Sequence, residues 1–339
     1  MMKTRTGAFA GIVVACLVAL GAVVAFAVMS GDGGTVAELP SGTDAAAQTP
    51  TAVSALPPST EAVVRAVDTK QPRLNGKLYR VDASGKTQPI PGAPACERVA
   101  VGAGHGICLY LAKTGVDYRA ALLDDKLHVT KTLGLPGLPS RARISPGGRW
   151  AGITTFAYGD SYTAPGTFST RTQIIDLRNG SVLANLEQWR FTLNGKAVNA
   201  IDRNFWGLSF GQDEDRFYAT MATGNHHYLV QGSIAQRGGT VLRDDVECPS
   251  LSPDETRVAY KHTLGGGKWR LHVYDLQTHQ DVALAETRSI DDQPSWLDDE
   301  HVAYFDGKAT DVVPANGSGT PQVLVKGADS PTLLRRPAS

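Results

Sequence analysis

The chain has no excess of either charge: 33 Lys and Arg stand against 33 Asp and Glu in 339 residues. With no long basic block either, the electrostatic footprint of a nucleic-acid binder is missing. No H-E-x-x-H and no paired C-x-x-C occurs, and the eight histidines are scattered. The adjacent His226 and His227 would point to opposite faces of a strand and could not chelate one metal together. Gly265-Gly266-Gly267-Lys268 lacks the spacing of a phosphate loop and is not followed by a helix. No metal and no cofactor is therefore expected. Helical periodicity is absent beyond the N-terminal segment, so the folded part reads as all-β.

What is present begins at the N-terminus. After Lys3 and Arg5, residues 7–29 carry no charge, and the next basic residue is Arg65. At about 1.5 Å per residue such a helix spans the roughly 30 Å bilayer core. The charge asymmetry keeps the N-terminus in the cytoplasm and sends the rest outside. Three readings of residues 1–30 stay open: a signal anchor, a cleaved signal peptide ending near Ala25-Phe26-Ala27, and a lipoprotein signal with Cys16 as the lipidated residue. All three export the remainder. Residues 31–61, rich in Ala, Thr, Ser, Gly and Pro without an aromatic, read as a disordered tether, and residues 62–339 as the folded domain.

That domain repeats itself. ARISPGGRWAGITTF, GLSFGQDEDRFYATM, PSLSPDETRVAYKH and PSWLDDEHVAYF, aligned on Ile144, Leu208, Leu251 and Trp296, each place a short apolar strand before a turn of Pro, Gly, Asp or Glu and a second strand after it. Looser copies lie at 96–111 and 329–337. A further strand pair follows each full copy, as in WRLHVYDLQTHQDVALAE, giving four strands per roughly 45 residues, the spacing of a propeller blade. Anchors near 97, 144, 208, 251, 296 and 332 make six blades. The last copy breaks off after one strand, and residues 61–67 and 75–90 supply the strands it lacks, so both ends share a blade and no sheet edge is left open.

SPGGRWAG (145–152), SPDETRVAY (252–260) and HVYDLQTHQ (272–280) resemble the Ser-Pro-Asp-Gly blade motif of TolB-like, WD40-like β-propellers, over roughly residues 70–337. Glu255 stands where that turn usually has Gly, and Ser209-Phe210 lacks the Pro. The resemblance implies a six-bladed β-propeller with a protein partner in the envelope.

Candidate sites are few. Gly207-Leu208-Ser209-Phe210-Gly211 satisfies G-x-S-x-G, but a turn and a strand follow it where a nucleophile elbow needs a helix. Asp291-Asp292 and Asp298-Asp299-Glu300 read as solvated turns. Cys96 and Cys108 flank a GAGHG turn, and export permits a disulfide between them. A strict hairpin would set Cys96 opposite residue 111, so the pairing needs a bulge or a skewed register; the alternative joins Cys248 to one of them. The long step from Ile144 to Leu208 holds excess residues at 156–172 and 187–207. The first stretch groups Tyr158, Asp160, Tyr162, Phe168 and Arg171 in a loop too long for a blade turn, a placement that suits ligand binding.

The expected function is a non-catalytic extracytoplasmic binding or scaffolding module for an envelope or cell-surface protein, or a glycan, held at the membrane through residues 7–29. The rival is a propeller enzyme, a glycosidase or lyase, with two carboxylates converging at the channel mouth. A direct signalling role is disfavoured by a cytoplasmic tail of about six residues.

Overall fold

Each full copy of the repeated phrase folds as an antiparallel hairpin: Ile144 opposes Ala151, Phe210 opposes Phe217, Leu251 opposes Val258, and Trp296 opposes Val302. In the second copy Phe210 therefore takes the place that the sequence alignment gave to Leu208. Ser145, Gly211, Ser252 and Leu297 each open the turn, donating their N–H to the carbonyls of Trp150, Arg216, Arg257 and His301.

In a computed structural model of the chain, which describes residues 51–52, 61–67, 75–157, 169–183 and 185–334, these hairpins are the inner halves of six sheets. Blade 1 runs outward through Ala328–Leu334, Glu61–Ala66, Leu78–Val81 and Thr87–Pro89. Blade 2 comprises Arg98–Gly102, His105–Leu111, Tyr118–Leu123 and Val129–Gly134, and blade 3 Gly137–Ile144, Trp150–Ala157, Thr170–Asp176 and Ser181–Val182. Blade 4 holds Asn204–Phe210, Arg216–Thr223, His226–Ser233 and Gly238–Arg243, and blade 5 Glu247–Leu251, Arg257–Gly265, Lys268–Asp275 and Asp281–Ala283. Blade 6 is Ser295–Trp296, His301–Phe305, Ala309–Pro314 and Gln322–Lys326. The architecture is a six-bladed β-propeller. Blade 1 joins the two ends of the chain, Ala66 opposing Ala328 and Glu61 opposing Leu334.

Sheets stacked face to face are buried on both sides, so their strands are near-continuously apolar. Trp150–Thr155 and Glu247–Leu251 are buried without a break. Six hydrophobic clusters result, one at each blade–blade interface. The largest, between blades 3 and 4, takes in Leu186, Trp189 and Phe191 from the second irregular stretch. Its strand Arg190–Leu193 also adds in parallel to the outer edge of blade 4. Half of the long repeat step is thus core and edge cover.

The turns explain why Glu255 replaces glycine. Gly148, Glu214 and Glu255 occupy one position in successive turns, all with positive φ (79°, 59° and 60°). A side chain is strained there, but both glutamates reach back into the preceding blade. Glu214 accepts from Ser145 Oγ at 2.7 Å and Gly147 N at 2.6 Å, and Glu255 accepts from Gln212 N and Arg216 Nη2, each at 2.5 Å. Asp299 of blade 6 repeats the contact one position earlier, accepting from Asp254 N at 2.8 Å. The acidic turns are stitches between blades, and Asp299 is one of them rather than a merely solvated residue.

Cys96 and Cys108 form a disulfide and Cys248 is a buried free thiol. The hairpin register is strict, with Arg98 opposite Leu109 and Gly102 opposite His105. Cys96 reaches Cys108 because the chain leaves the ladder there, its N–H bonding to Gly76 O at 2.9 Å instead. Residues 7–29 lie outside the described residues; among the described ones no helix is long and apolar enough to cross a membrane. Within the stretch read as a tether, Thr51–Ala52 pairs with Lys326 and Val325 at the outer edge of blade 6.

Candidate functional site

The inner strands of the six blades surround a central channel, and four of them are bulged. The register slips at Ser140 in blade 3, between Trp206 and Ser209 in blade 4, between Glu247 and Ser250 in blade 5, and opposite Val63 and Arg65 in blade 1. Gly207, Cys248 and Ser330 adopt positive φ at these places. A Cβ on Gly207 would lie 2.6 Å from Cys248 Cα, so only glycine lets the two bulges nest. Bulges bend a strand and re-aim its side chains. Here they open one end of the channel into a cleft of about 620 Å³, with a waist of about 20 Å³ beneath it and a mouth of about 170 Å³ at the far end, where the Ser-Pro turns lie.

The cleft has aromatic walls and a charged floor. Trp206, Trp269 and Phe156 line it, with the Gly265–Gly267 hairpin at its edge. Lys261, whose side chain is 4% exposed, lies 2.6 Å from Asp291 Oδ1, 3.9 Å from Glu247 Oε2 and 4.3 Å from the Trp269 ring centre. Glu247 also accepts from Trp269 Nε1 at 2.7 Å and stands 3.1 Å from His227 Nδ1. Burial pushes the Glu247 carboxyl up, but the His227 hydrogen bond and the Lys261 charge outweigh it and leave the pKa below the ordinary glutamate value. Asp291 behaves alike, burial being overcome by Lys261 and Arg141. The bond to Glu247 raises the His227 imidazole above its usual pKa.

The remaining cations are arginines. Arg98 Nε and Arg141 Nη1 donate to the same carbonyl, Ser140 O, at 2.8 and 3.0 Å. That carbonyl belongs to the bulged residue of blade 3. Arg143 Nη2 donates to Pro294 O and Ser295 Oγ, both at 2.8 Å, and Arg65 makes a two-pronged ion pair with Asp329. At the waist Gln293, which is 3% exposed, donates from Nε2 to Pro249 O at 2.9 Å and Leu208 O at 3.2 Å, closing the channel below the cleft.

Of the residues singled out from the sequence, Tyr158, Asp160, Tyr162 and Phe168 lie outside the described residues. Arg171 is exposed on the strand Thr170–Asp176, its Nη1 donating to Thr170 O. The two feet of that loop, Phe156 and Thr170, oppose each other in the ladder and line the cleft. One reading needs correction in part. Asp291, whose side chain is 62% exposed, is solvated but also pairs with Lys261, and Asp292 accepts from Phe305 N at 2.9 Å, so the two are more than a solvated turn. His227 sits in the cleft, edge-on to Trp206, while its neighbour His226 turns away to Asp244. Ser209 is a tie between blades, its Oγ accepting from Leu251 N at 2.9 Å. No group of three or more His, Cys, Asp or Glu able to hold a metal occurs among the described residues.

The fold is that of a six-bladed β-propeller, with the cleft at one end of its channel. The chain is similar to TolB from Acinetobacter baumannii, at 17% identity and a TM-score of 0.56 over 81% of this chain and 67% of TolB. It is also similar to a puromycin-hydrolyzing peptidase from Mycobacterium tuberculosis (17% identity, TM-score 0.47, 74% of this chain and 42% of the peptidase) and to an oligogalacturonate lyase from Vibrio parahaemolyticus (10% identity, TM-score 0.47, 75% and 72%). Identities this low speak for the architecture alone. No protein-family model and no curated protein matches the sequence.

Proposed function

We propose that this chain is a non-catalytic, extracytoplasmic binding module whose ligand enters the cleft at the bulged end of the channel. The observation that carries the reading is the cleft itself: aromatic walls, convergent polar groups and ligand-scale volume in one rigid frame. The disulfide fits an oxidising compartment outside the cytoplasm. A ligand presented by an envelope or cell-surface protein suits a propeller exported behind residues 7–29, and residues 158–168 connect two strands whose ends, Phe156 and Thr170, line the cleft. The enzyme reading finds less support. Of the three acids lining the cleft, Glu97, Glu247 and Asp291, Lys261 holds the last two in the ionised form. A glycosidase pair needs one carboxyl kept protonated as the acid.

The test uses the full-length chain as bait for envelope extracts, beside Trp269→Ala in the cleft, the triple Tyr158, Tyr162 and Arg171 alanine variant in the loop, and Ile201→Ser on the fully exposed surface. Capture that is lost with the first two variants and kept with the third supports the reading. Capture unaffected by both the cleft and the loop variants overturns it.

A further inference from the structure

The cations around the cleft are not equally engaged by close partners. Lys261 is held by Asp291 and Glu247, Arg65 by Asp329, and Arg143 is bonded to Pro294 O and Ser295 Oγ. Arg98 and Arg141 remain, converging on one carbonyl. The Arg141 guanidinium touches Asp291 only at 3.6 Å, Asp291 being engaged by Lys261 at 2.6 Å, and its buried Nε has no partner. Arg98 bonds to two carbonyls, Ser140 O and Glu97 O, and forms no ion pair with any described carboxylate. Two guanidiniums on one neutral oxygen are mutually repelling, and Asp291 at 3.6 Å from Arg141, with Asp292 acting only through space, leaves them without an anion in close hydrogen-bonded contact. Burial depresses the Arg98 pKa, and the nearby Arg141 and Arg65 add to that effect against the pull of Asp329.

We propose that Arg98 and Arg141 form the recognition site for the carboxylate of an organic monoanion whose body packs against Trp206 and Trp269. This rests on the cleft being the binding site. A carboxylate offers four lone-pair positions to the planar guanidinium donors, in charge-assisted bonds stronger than those to Ser140 O. Asp291 and Glu247 on the same floor set the ligand's charge, because a dianion such as phosphate meets them at close range. The aromatic walls and the volume of about 620 Å³ call for an organic body behind the carboxylate. Such a group is carried either by a free small acid or by the C-terminal residue of a partner chain.

The experiment titrates the full-length protein, by calorimetry and tryptophan fluorescence, with small aromatic carboxylic acids and with N-acetylated tripeptides. Each compound is used as its free acid and as its amide, with inorganic phosphate as a separate arm. The expected result is that free acids bind about tenfold or more tighter than their amides, as one charge-assisted contact implies. Binding only by tripeptide acids assigns the site to a chain terminus, and binding by the small acids assigns it to a free metabolite-sized acid. Arg98→Met should bring the acid down to the level of its amide, leave amide binding alone and not lower the melting temperature. Lysine at position 98 should restore part of the preference. Equal binding of acid and amide, tighter binding of phosphate, or an acid preference that survives Arg98→Met overturns the assignment and leaves the cleft reading standing. If no compound binds, Trp269-dependent capture of an envelope protein separates the cases: with it only the carboxylate assignment falls, and without it both do.

Discussion

Glu255 of blade 5 holds the Arg216 guanidinium of blade 4 at 2.5 Å while its own backbone sits at a φ of +60°. The strain and the ion pair belong to one residue, so they can be separated by substitution. Glu255→Ala keeps the strained backbone and loses the bond, whereas Glu255→Gly loses both. Glycine should be less destabilising than alanine by about 1 kcal/mol. Urea unfolding of the two variants checks the difference, and equal midpoints would show that the turn is not strained.

Lys261 and Arg98 should respond in opposite ways to the same replacement. Lys261→Met leaves Glu247 and Asp291 facing each other with their cation gone, at a cost of about 3 kcal/mol. Arg98→Met removes a cation that has no carboxylate partner and should be close to neutral. Thermal melts of both variants decide; a loss at Arg98 as large as that at Lys261 counts against an unpaired charge there.

Glu187 gives the fold a pH dependence with a definite sign. Burial raises its carboxyl to about 7, against hydrogen bonds from Thr172 N and Thr170 Oγ. A folded-state pKa above the unfolded one means that the native state binds the extra proton. The contribution is therefore full below about pH 4 and is lost as pH climbs from there through 7. Glu187→Gln should flatten the stability curve across this window and stabilise the protein above pH 7. Chemical unfolding at pH 5 and pH 8 measures it, and an unchanged slope would rule Glu187 out as the source.

The cysteines divide sharply in accessibility. With Cys16 replaced by Ser, the native protein should show no thiol reactive towards a small disulfide reagent, since Cys248 is 2% exposed, and one thiol after denaturation without reductant. Cys108→Ser should lower stability by about 3 kcal/mol by freeing a short loop in the unfolded chain. Three thiols on denaturation would refute the Cys96–Cys108 pairing.

The blade count was legible because a local phrase recurs, an apolar residue, a polar turn and a second apolar strand, and the closing strand because the last copy breaks off where residues 61–67 supply what it lacks. The disulfide was legible as a pair, though its route was not; Cys96 reaches its partner by leaving the ladder for Gly76, a contact between blades that no local pattern carries. The cleft was harder still. Its walls come from four blades and the link before blade 6, and its opening depends on bulges at Ser140, Gly207 and Cys248, each a slip of one residue that leaves the apolar pattern intact. The partners of His227 and Asp291 were out of reach too, because Trp206, Glu247 and Lys261 stand on other strands. The one available signal was Gly207, a strand glycine whose missing side chain marks a close approach.

Blade 1 is sewn from two pieces of chain, and Arg65 meets Asp329 across 264 residues of sequence. Five blades can form as the polypeptide lengthens, but the ring stays an open crescent with a bare sheet edge until the final strand is made. A ribosome stalled before residue 328, or a protease that cuts there, leaves the unpaired side of Glu61–Ala66 bare to any passing strand. Closure of the ring thus waits on the strand Ala328–Leu334.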